Sequence, residues 1–220
     1  AGTLSVAKVL VETGMVKRVE PETKIVLETP TGLVTVYVKW ENHMVASINL
    51  ENVPAFLYRK DLHIDLAGYG DVSVDIGYGG NFFVLADVHS LGLTITKDTV
   101  NLLRSLSKDI LAAANKVIKV AHPTNPAINY LDQVLFCQNV PEEDGGYLAQ
   151  CIFGDAQADI SPCGTGTSTR LAQRYFRGLI GLEETFVQKS VCGGAFHAKG
   201  LRETTLGGVP AIVPYVSCSD

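Results

Sequence analysis

The sequence predicts an α+β fold of two pseudo-symmetric lobes, each a strand-rich half-barrel around a central helix. Three observations lead there. Most of the chain reads as short β-rich runs separated by glycine or proline turns. Only three stretches carry a helical period. The chain also repeats itself: Gly-Thr at 2 to 3 opens a helix that stops at a glycine and is followed by strand hairpins. Gly166-Thr167 opens the same pattern about 164 residues later, with KIVLETPTGLVTVYVK paralleling TFVQKSVCGGAFHAKG. Two such copies packed together would set two helix N-termini face to face.

The elements follow in order. Residues 2 to 14 place Leu4, Ala7, Leu10 and Val11 on one helical face and stop at Gly14, a glycine cap. KIVLETP, GLVTVYVKW and HMVASINLENV are strands broken by a turn at 29 to 32, and HIDLA, DVSVDIGY and FFVLADV continue the series. Residues 97 to 120 form the longest helical pattern, with Leu102, Leu103, Leu106, Ile110 and Leu111 on its apolar face. HPTNPAIN is a loop, and DQVLFC and YLAQCIFGD are strands around the turn PEEDGG. After a third helix come TFVQKSV, AFHAKGLRET and VPAIVPYVS, strands again.

Composition narrows the class. With 220 residues and 46% hydrophobic content the chain buries a sizeable core. A net charge of −5 with no basic run excludes a nucleic-acid surface, and no apolar stretch approaches the ~20 residues that span a bilayer. The first residues, AGTLSVAKVLVETG, lack a basic flank and are no signal peptide. Five cysteines without CxxC spacing suit neither a disulfide framework nor a zinc site, so no metal is expected and a reducing cytoplasm is the expected compartment. Cys137, Cys151, Cys192 and Cys218 read as packing residues.

Cys163 differs from them. Residues 154 to 170 read GDAQADISPCGTGTSTR, and the cysteine stands between a proline and Gly-Thr-Gly-Thr at the start of the third helix. Gly164 and Gly166 allow close backbone approach and unusual conformations, and Thr165, Thr167 and Ser168 are N-cap candidates. A helix N-terminus offers unpaired N–H groups and partial positive charge, which suits a carboxylate or phosphate and lowers the pKa of a thiol placed there. Asp159 adds a carboxylate four residues upstream. The plainer readings are a buried inert thiol, a turn and cap, and an aspartate capping the turn before Pro162.

SPCGTGTS, preceded by Asp159 and Phe153, resembles the second active-site motif of the proline racemase family, which includes the hydroxyproline 2-epimerases. GYGGNFFVLADVHSLGL at 77 to 93, LVETGMV near the start and AHP at 121 to 123 resemble other parts of that family. The resemblance covers nearly the whole chain and implies the diaminopimelate epimerase type of two-lobed fold. Residues 1–58 would be the rear part of lobe one and 59–220 lobe two, with the C-terminal return segment cut short. The family's first cysteine, in a Met-Cys-Gly-His-Gly motif, would fall two residues before Ala1, and Ala1 itself where the family has histidine. The chain is thus expected to be the middle of a longer protein, with an exposed sheet edge in lobe one and room for a homodimer.

The resemblance further implies inversion at the α-carbon of proline or a hydroxyproline, with no pyridoxal phosphate or other cofactor. Cys163 matches the second acid/base cysteine. Gly164 and Thr165 would hold the substrate carboxylate, Asp159 would contact its amine, and Phe153 would wall the pocket. Some hydroxyproline epimerases carry a substrate-contacting histidine near Gln133, so glutamine there counts against 4-hydroxyproline specificity. Two alternatives remain: a trans-3-hydroxyproline dehydratase, in which threonine usually replaces this cysteine, and a non-catalytic small-molecule-binding homologue. A Cys–His hydrolase would need His122 or His197 near Cys163, and nothing in the sequence puts either there.

Overall fold

A computed structural model describes residues 2–219. The expectations for Ala1 and for the cysteine before it lie outside the described residues. Helix α1 (Gly2–Glu12) leads into the meander β1 (Glu22–Thr29), β2 (Gly32–Glu41) and β3 (Met44–Glu51). The hairpin β4 (Phe56–Leu66) and β5 (Gly70–Tyr78) turns into β6 (Phe82–Asp87). Helix α2 (Val100–Val117) then crosses to β7 (Gln133–Pro141), β8 (Tyr147–Phe153) and the short β9 (Gln157–Ala158). Helix α3 (Gly164–Phe176) is followed by β10 (Phe186–Lys189), β11 (Ala195–Leu206) and β12 (Val209–Ser219). Glu22 and Phe186 open matching strands of the two copies, at the spacing of the sequence repeat.

The strands form one sheet in the order β1-β2-β3-β12-β11-β10-β8-β7-β6-β5-β4, with β9 beside β8. Pairing is antiparallel except at β6–β7 and β8–β10. A bridge between Ala55 and Ile212, with reciprocal backbone hydrogen bonds of 2.8 and 2.9 Å, brings the β4 end of the path back onto β12. The run from β4 to β12 therefore curls round α3 and closes, while α2 packs against β4, β6, β7 and β8 and α1 lies on β2 and β3. β1 pairs only with β2 among the described strands, so it is an exposed edge as the sequence predicts.

Helix α3 is enclosed although it is not apolar. Thr167, Ser168, Thr169 and Arg170 are fully buried. Its hydroxyls stay satisfied by bonding back to their own helix: Ser168 Oγ donates to the Gly164 carbonyl at 3.0 Å and Thr169 Oγ1 to the Thr165 carbonyl at 2.8 Å. Gln188 on β10 donates to the Pro162 carbonyl at 2.7 Å and to Thr167 Oγ1 at 2.9 Å. Small side chains then let the surrounding strands come close. A Cβ on Gly79 would lie 2.5 Å from the Thr169 nitrogen and 2.7 Å from the Thr165 carbonyl oxygen. Glycine is required there.

At its far end α3 finishes in a Schellman arrangement: Gly178 takes φ 71°, its N–H bonds to the Tyr175 carbonyl, and the Leu179 N–H bonds to that of Arg174. Asp75, only 4% exposed, accepts from Arg177 at 2.6 and 2.7 Å, from Gln173 at 2.7 Å and from the Asp61 N–H at 2.9 Å. Burial pushes its carboxyl pKa up, but these donors outweigh burial and hold it below the ordinary value.

Some sequence expectations need correction. Leu102 is 45% exposed, and the apolar face of α2 runs instead through Leu103, Leu106, Ile110 and Ala114. β4 starts at Phe56, well before HIDLA, because the charged YRKD segment enters the sheet through register shifts and a positive φ of 49° at Asp61. Cys192 is exposed rather than packed.

Gly79→Ala should cost ~3 kcal/mol or more, because both neighbours it meets are backbone of a buried helix. Urea unfolding should show this as a lowered midpoint.

Candidate active site

The chain enters α3 through an unusual residue. Cys163 has φ 64° and ψ 106° and is itself the N-cap, its Sγ accepting from the Gly166 N–H at 3.4 Å and lying 3.6 Å from Thr165 Oγ1. The expected caps Thr165, Thr167 and Ser168 sit inside the helix instead, and Gly164 and Gly166 are helical. The strained backbone therefore falls on the cysteine. Gly166 is needed for room: a Cβ there would stand 3.1 Å from Cys163 Sγ and 3.1 Å from Leu135 Cδ1. Among the described residues no group bonds to the Gly164 and Thr165 amides, as expected of a first helical turn.

A cleft of about 300 Å³ opens in front of this turn. Cys163, Gly164, Thr165, Asp159, Phe153 and Gln133 all line it, so every site residue named from the sequence meets in one place. The opposite wall carries Gly2 and Thr3 from the start of α1, with Leu50 near the end of β3 and Asn52 just after that strand. The two helix N-termini thus share one cleft, and an anion between them would gain from both. Asn52 ties the walls together, its Nδ2 donating to Ser168 Oγ at 2.9 Å and to the Gly79 carbonyl at 3.0 Å.

Asp159 plays the plainer part as well, for its Oδ1 accepts from the Ser161 N–H at 2.8 Å. It is nonetheless close to the chemistry: a carboxylate oxygen of Asp159 and the sulfurs of Cys163 and Cys151 all lie within 4.8 Å of one another. Cys151 is the residue that sequence reasoning misplaced. It is 2% exposed on β8, lines the cleft and packs with Leu135, Phe153 and Cys163. Asn52 and Asn81 also line the cleft and gave no signal in the sequence.

The two thiols split their acidity. The Cys151 thiol, its sulfur within 4.8 Å, holds the Cys163 thiol below the ordinary pKa, with help from the Gly166 N–H and the Thr165 hydroxyl, against burial and the Asp159 charge. The closeness of Cys163, with burial, pushes Cys151 well up. The pair titrates as a unit, and its surroundings favour the thiolate at Cys163, where the Gly166 N–H and the Thr165 hydroxyl are at hand. No histidine takes part. His122 packs edge-on to Tyr78 with ring centroids 4.8 Å apart, and His197 is exposed on β11, so neither lines the cleft. Among the described residues, no helix is long and apolar enough to cross a membrane.

The family profile described as proline racemase matches residues 1–219. The trans-3-hydroxy-L-proline dehydratase of Burkholderia cenocepacia is 36% identical over 219 residues, which is 99% of this chain and 65% of that protein. The proline racemase of Acetoanaerobium sticklandii is 37% identical over 217 residues, 98% of this chain and 65% of that one. The chain thus spans about two-thirds of the length of these curated relatives. The crystal structure of a hydroxyproline epimerase from Agrobacterium vitis, with bound trans-4-OH-L-proline, superposes with a TM-score of 0.93 at 32% identity, covering 100% of this chain and 62% of that one. Sequence, fold and cleft agree, and the chain belongs to the proline racemase family, with the diaminopimelate epimerase type of fold.

Proposed function

We propose that the protein of which this chain is part racemises or epimerises proline or a hydroxyproline at the α-carbon by cysteine acid/base chemistry. The observation that carries this reading is the Cys163 sulfur capping α3 in one cleft with a carboxylate and with two amides that no described residue bonds. Cys163 as thiolate takes the α-proton and becomes a thiol, while an acid on the opposite face of the substrate returns a proton. The amides of Gly164 and Thr165 hold the substrate carboxylate and stabilise the charge that spreads into it. Asp159 faces the substrate ammonium and keeps it cationic, which acidifies the α-carbon, and Phe153 keeps water from the sulfur. In this reading residues 1–58 and 59–220 are the two lobes, each supplying one wall. The chemistry asks for no pyridoxal phosphate, and the protein works in the cytoplasm.

One observation favours a second reading. The relative from Burkholderia cenocepacia is named a trans-3-hydroxy-L-proline dehydratase, and elimination needs a base on one face only. The two separate by product: inversion returns an isomer, whereas dehydration of a 3-hydroxyproline removes water.

Cys163→Ser should lower isomerisation by about 10² to 10⁴-fold, since a hydroxyl is a far weaker acid and base near neutral pH. Polarimetry with L-proline and the hydroxyprolines measures it, and unchanged turnover would remove Cys163 from the mechanism. Alkylation tests the thiol without substrate. Because the Cys163 pKa is lowered, its labelling should persist to lower pH than that of a free low-molecular-weight thiol in the same solution. Cys151→Ala removes the leading cause of that depression, so the pH midpoint of Cys163 labelling should move up.

A further inference from the structure

Two thiols and a carboxylate meeting behind one cleft have a chemistry that proton transfer does not use. Cys151 presents its sulfur from the rigid strand β8, Cys163 presents its own from the cap of α3, and Asp159 is fixed by its bond to the Ser161 N–H. The three donor atoms lie within 4.8 Å of one another. A tetrahedral zinc ion with Zn–S bonds near 2.3 Å and a Zn–O bond near 2.0 Å holds its sulfurs about 3.8 Å apart and its oxygen about 3.5 Å from each, so a contraction of roughly 1.3 Å at most completes the set. Side-chain rotation supplies that without moving the strand or the helix.

We propose that Cys151, Asp159 and Cys163 form a three-donor site for a thiophilic divalent cation, zinc being the natural candidate, which silences the cleft when occupied. The donors suit such an ion: two sulfurs with one carboxylate select zinc or cadmium over magnesium or calcium, which prefer oxygen alone. The fourth position faces the 300 Å³ cleft, which has room for a water or a carboxylate. Charge also closes. Two thiolates and a carboxylate around a dication leave one net negative charge, set against the N-termini of α1 and α3. As the ion binds, the thiol protons leave to solvent and each sulfur lone pair becomes a metal bond. Cys163, its charge drawn into the metal bond and its sulfur held at the ion, is then too weak a base to take a proton from substrate. The silencing rests on the acid/base reading of Cys163, whereas the binding does not.

Cadmium chloride titrated into the reduced, metal-free protein tests the site through thiolate-to-cadmium absorption in the ultraviolet, with no substrate present. One equivalent should bind with the intensity of two Cd–S bonds, and zinc should displace it. Cys151→Ala and Cys163→Ala should each halve the intensity and weaken binding about 100-fold or more, since even outer-shell changes cost 10- to 100-fold. Asp159→Asn should weaken binding and keep the full intensity, and Cys192→Ala should change nothing. Cys151→Ser serves as a second variant should alanine disturb the fold. Absence of binding, or binding unaltered by both Cys151 variants, overturns the proposal. Cys163-dependent isomerisation without cadmium binding would overturn the metal site alone. Cadmium binding as described, with isomerisation indifferent to Cys163, would overturn the acid/base reading alone.

Discussion

The enclosure of α3 by the sheet is the constraint on which the rest depends. A helix inside a closing sheet must be narrow and must satisfy its own polar groups, which explains why its first two turns are glycine, serine and threonine. Its N-terminus opens on the cleft, and one of its amides is capped from within the chain by Cys163. The cap is a sulfur, and a thiolate accepts the Gly166 N–H better than a thiol does. Folding and ionisation of Cys163 therefore support each other. Because its folded pKa lies below the unfolded one, this contribution is complete above the ordinary thiol pKa and fades as pH falls through the lowered value.

Much of this was legible in the chain. The repeat gave two glycine-flanked helices with strand meanders, and α1 with β1 to β3 and α3 with β10 to β12 realise it. The SPCGTGTS run located the cleft because a site built on a helix N-terminus needs residues close together in sequence. The other wall was hidden, since Asn52 and Asn81 reach the cleft only through long-range folding of the sheet. Cys151 was hidden for a different reason. Once Phe153 is taken as pocket wall, strand alternation puts Cys151 on the same face of β8, and that period-two signal was available. The cap assignment failed because hydroxyl preference describes ordinary helices, and this one begins at a cysteine with φ 64°.

The environment of Cys163 balances opposing terms within a few ångströms. Burial and Asp159 disfavour its charge, and Cys151, the Gly166 N–H and the Thr165 hydroxyl favour it. Cys151 is the nearest polar neighbour from the sheet, buried on β8 with its sulfur within 4.8 Å of that of Cys163. The pair behaves as one unit whose surroundings favour the thiolate at the capping sulfur.

Ligand polarity follows from the same arrangement. The amides of Gly164 and Thr165 and the start of α1 bring partial positive charge to the cleft, and Asp159 brings a carboxylate. An isolated anion would meet Asp159, and an isolated cation would meet two helix N-termini. In the proposed reading a zwitterion of amino-acid size meets both kinds of charge, its carboxylate at the amides and its ammonium at Asp159. The helix enclosed by the sheet thus brings the Cys163 sulfur, the first-turn amides and Asp159 into one cleft.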